Sequence, residues 1–223
     1  MPGWLPVVIS CLALAVAGIT AWLTFFRRGR LAMTQPTSVF LGPDGSLFDS
    51  GKNKVYLRTL LYSTAKRGHV LESLHLSLSR NETKQNFNIW VYGTKGDLQR
   101  GSGLFVPQEG VTFDHHFLLP EDGADFKFHP GAYTISVFAK IVGQHAAFQM
   151  ASIQLTVGET QAKALAEPHT GIFFDWGPDQ QSYHPHVQKR APSEPKLEKL
   201  IQLFEERLTA NPTLEQTDNG GVD

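Results

Sequence analysis

Nine histidines make metal ligation the first chemistry to test in this chain. The pair at a ligand-like spacing is His184 and His186. An extended backbone turns both rings to one side, with Asp175 or Asp179 upstream as oxygen ligands. That is an incomplete zinc set, because no third ligand can be identified, and Pro185 between the rings equally marks a rigid extended connection. A membrane-tethered metal-binding domain or hydrolase using His184 and His186 therefore stands as the alternative reading. Nucleophilic catalysis has less support. Gly101-Ser102-Gly103 is too short for a nucleophile elbow and no helical pattern follows it. Phosphate loops and dinucleotide fingerprints are absent from the sequence, and Glu121 and Asp122 fall in a turn, where solvation accounts for them. The sequence assigns no catalytic residue, cofactor or metal.

Asp114-His115-His116 resembles the motif that names a phosphoesterase superfamily. The companion carboxylate motifs of that superfamily are missing, and adjacent residues of a strand face opposite ways. The expectation is an interior His115 with Asp114 and His116 on the outer face. Surface aromatics are the stronger lead. Trp90 and Tyr92 fall on the side of their strand opposite Phe87, Ile89 and Val91, an amphipathic pair suited to a protein partner. In the competing reading Phe173, Phe174 and Trp176 fold over that pair and bury it.

The elements that would position these groups are strands. From Val39 to Val157 apolar residues recur with period two between short turn signals, the mark of successive antiparallel strands. His69 to Leu78 collects Val70, Leu74, Leu76 and Leu78 on one face. Val111, Phe113, Phe117 and Leu119 form a second set around His115, and Tyr133, Ile135, Val137, Ala139 and Ile141 a third. Gly42-Pro-Asp-Gly45, Gly93-Thr-Lys-Gly96 and Pro130-Gly131 supply turn chemistry. Seven or eight short strands predict a mainly β, two-sheet antiparallel sandwich over residues 38–158. His129-Pro-Gly-Ala-Tyr133 resembles the late-strand entry of immunoglobulin-like sandwiches, where a Tyr marks a corner, although the Cys and Trp landmarks of antibody domains are missing. The resemblance implies architecture and nothing about activity.

Beyond the strands the pattern changes. Glu159 to Glu167 predicts a short Ala-rich helix, and residues 159–192 as a whole an extended segment packed on the sandwich, with Gly171 to Pro178 capping an edge or face. Ser193 starts an amphipathic helix over 193–210, Pro195 in its first turn, whose stripe is Leu197, Leu200, Ile201, Phe204 and Leu208. Residues 211–223 have the polar composition of a disordered tail.

The chain opens on 26 residues without an acidic or basic side chain, followed by Arg27, Arg28 and Arg30. As a helix, Trp4 to Phe26 would reach roughly 34 Å, enough for a hydrocarbon core of about 30 Å. A cleaved signal fits less well, because the start lacks basic residues and five strongly apolar or aromatic positions separate Ala15-Val-Ala17 from Arg27. Too little apolar sequence precedes Cys11 for a lipoprotein box. The expectation is one permanent span at 1–26 and a basic juxtamembrane linker at 27–37. Since the flanking arginines lie on the C-terminal side, the remainder is expected in the cytoplasm. The single Cys, within the span, agrees with that side. Asn81-Glu-Thr83 is a glycosylation sequon that matters only in a eukaryotic secretory compartment. Because small anchored β-sandwich domains are common outside the cytoplasm, a periplasmic or lumenal domain for extracytoplasmic ligand binding or envelope assembly is the alternative.

Charge is uneven: residues 27–100 carry 12 Lys and Arg against 5 Asp and Glu, and residues 101–223 carry 8 against 16. A sequence pI near 6.8 without a concentrated basic stripe does not fit a nucleic-acid binder. The reading is a single-pass anchored, non-catalytic interaction module with a protein partner, presenting recognition surfaces near the membrane.

Overall fold

A computed structural model describes residues 3–27, 29–44, 52–94, 97–120 and 126–189. It opens with α1 (Leu5–Ala21), which loosens into a π-helical turn at Trp22–Phe26. Leu5 to Phe26 is 22 residues long, apolar enough to span a membrane, and buries no side chain against the rest of the chain.

The strands are β1 (Leu31–Met33), β2 (Ser38–Pro43), β3 (Asn53–Ser63), β4 (His69–Arg80), β5 (Thr83–Phe87), β6 (Ile89–Thr94) and β7 (Asp97–Arg100). They continue with β8 (Leu104–Val106), β9 (Val111–Leu118), β10 (Gly131–Ile141), β11 (Phe148–Val157), then α2 (Glu159–Leu165), β12 (Thr170–Gly177) and β13 (Ser182–Lys189). All pairings are antiparallel. The larger sheet runs β13-β12-β2-β3-β9-β6-β7 with β1 also on β3; the smaller runs β11-β10-β4-β5 with β8 also on β4.

One core joins the two sheets. Val55, Leu57 and Leu61 of β3 and Ile172 and Phe174 of β12 supply one side, and Leu74, Leu76 and Leu78 of β4 and Ile135, Val137 and Ala139 of β10 the other. The period-two pattern drives this: alternate residues leave water, each worth about 1.5–3 kcal/mol for a fully buried aliphatic side chain. At the corner before β10, Tyr133 Oη donates to the His129 carbonyl (2.7 Å) and accepts from its amide (2.8 Å).

Four expectations change. Asn86 to Tyr92 is not one strand: the ladder breaks at Asn88, where the chain leaves the smaller sheet for the larger. Phe87 therefore enters the core from one sheet, and Trp90 and Tyr92, 3% and 6% exposed, enter it from the other. The pair is interior, and its cover is the opposite sheet, since Phe173, Phe174 and Trp176 belong to β12, four strands away from β6.

In β4 a register shift opposite Lys140 and Ile141 turns Leu71 inward and leaves Val70 exposed. Residues 170–189 are two strands of the larger sheet, with Phe174 in the core, and do not form a separate packing segment. Leu31–Met33, within the expected linker, pairs with β3. The short helix does form: Gln161 Oε1 accepts from the Gly158 amide (2.6 Å), and Ala162 and Leu165 join the core. The expected amphipathic helix, with Leu197, Leu200, Ile201, Phe204 and Leu208, lies outside the described residues, as do Arg28 and the tail 211–223.

Candidate functional site

Directly opposite residues in antiparallel strands share a face, so register alone assembles a row across the larger sheet. Cα partners run His186, Phe173, Phe40, Tyr56, His116, Val91 and Arg100 from β13 to β7. All lie on the side away from the core. Rings meet along this row: Phe173 stacks on His186 (centroids 5.5 Å) and tilts against Phe40 (4.8 Å), and Tyr56 lies 5.0 Å from His116. The close approach of Phe40 depends on glycine, because a side chain at Gly171 would collide with its ring.

A polar row runs alongside, from Asp175 through Ser38 and Arg58 to Asp114. Asp114 Oδ1 accepts from Tyr56 Oη (2.9 Å) and Arg58 (3.1 Å). Asp175 accepts from Ser38 Oγ (3.0 Å) and lies 3.1 Å from His186 Nδ1. Burial, reinforced by the Asp114 carboxylate, pushes the Tyr56 hydroxyl up to about 12, so it remains a donor at any physiological pH. At the distal end of β3, Lys54 is buried and ion-paired with Asp44 (2.8 Å).

This face can stack and hydrogen-bond, and both carboxylates are engaged by neighbours within it. Arg58 is exposed with one nitrogen committed to Asp114, which leaves donors for a partner. Among the described residues, the outer face of the smaller sheet carries fewer rings and one ion pair, Lys140 with Glu72. Ser77, Ser79, Thr134, Ser136, Ser152 and Gln154 pair across it, with one aromatic stack, His75 on Phe138.

His184 and His186 share the outer face of β13, and Asp175 is the Cα partner of His184. Among the described residues no group of three His, Cys, Asp or Glu side chains is arranged to hold a metal ion. Asp114-His115-His116 splits as the strand requires. His115 is interior, 1% exposed, while Asp114 and His116 look outward. Arg27 and Arg30 follow the apolar helix, both exposed.

The sequence reading passed over Phe40, Tyr56 and Arg58. Their local signal was the polar half of an alternation, Tyr56 and Arg58 between Val55, Leu57 and Thr59, but only register brings them beside Phe173 and His186. The chain matches no family model, and no curated protein sequence is similar to it.

Proposed function

We propose that this chain is a single-pass membrane-anchored interaction module: an immunoglobulin-like β-sandwich on the cytoplasmic side, non-catalytic, that recognises a protein partner. The carrying observation is the contrast between outer faces: the larger sheet bears an aromatic row edged by Arg58, Asp114, Ser38 and Asp175, the smaller a Ser- and Thr-rich surface. Aromatic residues and Arg are the groups that dominate protein interfaces. The Tyr133 to His129 corner supports the immunoglobulin-like class, in which a Tyr hydroxyl bonds back to the backbone a few residues upstream. The arginines after Phe26 support the cytoplasmic side. The amphipathic stripe from Leu197 to Leu208 is a second recognition element in this reading.

The test is site-specific photocrosslinking of the full chain in native membranes, with the probe at Arg58 or His186 and, as control, at Gln154. A discrete adduct with one second protein from positions 58 and 186, absent from 154, is expected. Equal adducts from all three positions, or none from any, would overturn the proposal.

A further inference from the structure

The chain is docked almost as soon as the apolar helix ends. The Arg30 amide donates to Thr64 Oγ1 (2.7 Å), the Thr64 amide donates to the Arg30 carbonyl (3.0 Å), and a side chain at Gly29 would collide with Ala65. Three residues from Phe26 to Gly29 span at most about 11 Å, so the 64–68 turn is held near the helix end. That turn exposes Lys66 and Arg67.

Beside it lies an apolar surface. Val70 pairs with Phe105 across β4 and β8, and the Val142 amide donates to the Val70 carbonyl (3.0 Å). These three side chains are 39%, 52% and 56% exposed in the order Val70, Phe105, Val142. Gly68, at φ 68°, lies under the Phe105 ring, so turn and ring form one surface. Among the described residues, the charges beside the patch include Arg27, Arg30, Lys66 and Arg67, with Glu109 in the neighbouring loop; Glu72 is tied to Lys140 (2.7 Å). A recess of about 760 Å³ opens between Arg27, Arg30, Met33, His69, Phe148 and Met150.

Water is a poor solvent for an apolar cluster of this kind, whereas a bilayer interface receives apolar side chains and its anionic lipids receive the cations around them. We infer that this end of the domain docks on the bilayer beside the anchor. Phe105, Val70 and Val142 enter the interfacial layer, and Arg27, Arg30, Lys66 and Arg67 meet anionic phospholipid headgroups. The inference rests on the anchored reading above. Its consequence is that tether and patch together hold the domain in one attitude to the membrane.

The experiment uses the full chain with Cys11→Ser and a fluorophore on Gln108→Cys, next to the patch, or on Glu82→Cys, in the β4–β5 turn at the opposite end. Each is reconstituted into vesicles of phosphatidylcholine alone or with about one-third phosphatidylglycerol, carrying lipids brominated near the headgroup. In the anionic vesicles the label at 108 should be quenched roughly threefold more than the label at 82, and Phe105→Ser or Lys66→Gln with Arg67→Gln should close that gap. Equal quenching at 108 and 82, in chains that stay in the vesicles after an alkaline wash, overturns the docking alone. Release by the wash overturns the anchor and the docking with it.

Discussion

Trp90 Nε1 donates a hydrogen bond to His115 Nδ1 across 3.1 Å in the interior of the domain. An indole nitrogen can only donate, so this bond requires the imidazole nitrogen to be unprotonated and places the ring proton on Nε2. Nε2 is buried without a hydrogen-bond partner. The Trp90 and His115 rings lie 6.0 Å apart, and Tyr92 packs against both, 4.9 Å from Trp90 and 6.4 Å from His115. His115 is thus a neutral core residue locked in one tautomer, and a second proton would have to displace the Trp90 bond.

This sets a pH dependence. Burial, with a smaller push from His116, lowers the His115 imidazole to about 3, against about 6.5 when unfolded. Between those values the unfolded chain takes up a proton that the folded chain refuses. The histidine's contribution is therefore complete above about pH 6.5 and drains away as pH falls toward 3. His115→Asn keeps an acceptor for Trp90 without a titrating group. Between pH 6.5 and 5 the native protein should lose about 2 kcal/mol relative to that variant, read by denaturant unfolding in detergent. Parallel stability curves would remove the neutral-histidine account.

Gly101 is needed for space. Its amide donates to the Trp90 carbonyl (2.8 Å), and a side chain there would collide with the indole. Gly101→Ala must therefore push Trp90 off His115, with an expected loss of about 1–3 kcal/mol, the usual range for overpacking. The indole N–H resonance of Trp90 should move at the same time. An unchanged melting temperature would mean that the strand shifts freely.

Local alternation made most strands legible, because each buries one face along its own length. It could not reveal Asn88. Phe87, Trp90 and Tyr92 are all apolar-facing, yet the alternation breaks once between them, and a pattern read across that break turns Trp90 and Tyr92 outward. The β12–β13 hairpin was hidden for another reason: the apolar run between Gly171 and Gly177 is short and broken by Asp175, and β12 joins the sheet through a distant partner, β2. The outer row had no signature beyond the polar half of the β3 alternation, and nothing local that joined its members. Phe40, Tyr56, His116, Phe173 and His186 come from five strands, and long-range register is not written in any window of neighbours. His184 and His186 stood out by spacing, but Asp175 became their neighbour only through the hairpin.

Tyr133 offers a cleaner deletion. Its ring is fully buried and its hydroxyl both donates to and accepts from His129 backbone groups. Tyr133→Phe keeps the ring and orphans an amide and a carbonyl at the start of β10, which should cost about 1–3 kcal/mol while leaving the fold intact. Faster amide exchange should be confined to the 129–133 corner. Loss of exchange protection throughout β10 would instead show that the corner holds the whole strand.

The anchor and its direction can be read with thiols. Cys11 is the chain's single cysteine and sits on an exposed face of α1. From Leu5 it is six residues into the helix, about 9 Å along its axis, and so within the hydrocarbon if the helix crosses. A charged maleimide cannot reach a thiol at that depth. Cys11 should resist that reagent in intact cells and in opened membranes, and react only after denaturation. In a Cys11→Ser chain, Gln154→Cys on the outer face of the smaller sheet reports the side. In the proposed orientation, with the arginine-flanked end inward, position 154 should be protected in intact cells and labelled once the membrane is opened. Labelling of 154 in intact cells would move the domain outside. Labelling of Cys11 in opened membranes would mean that the helix does not cross.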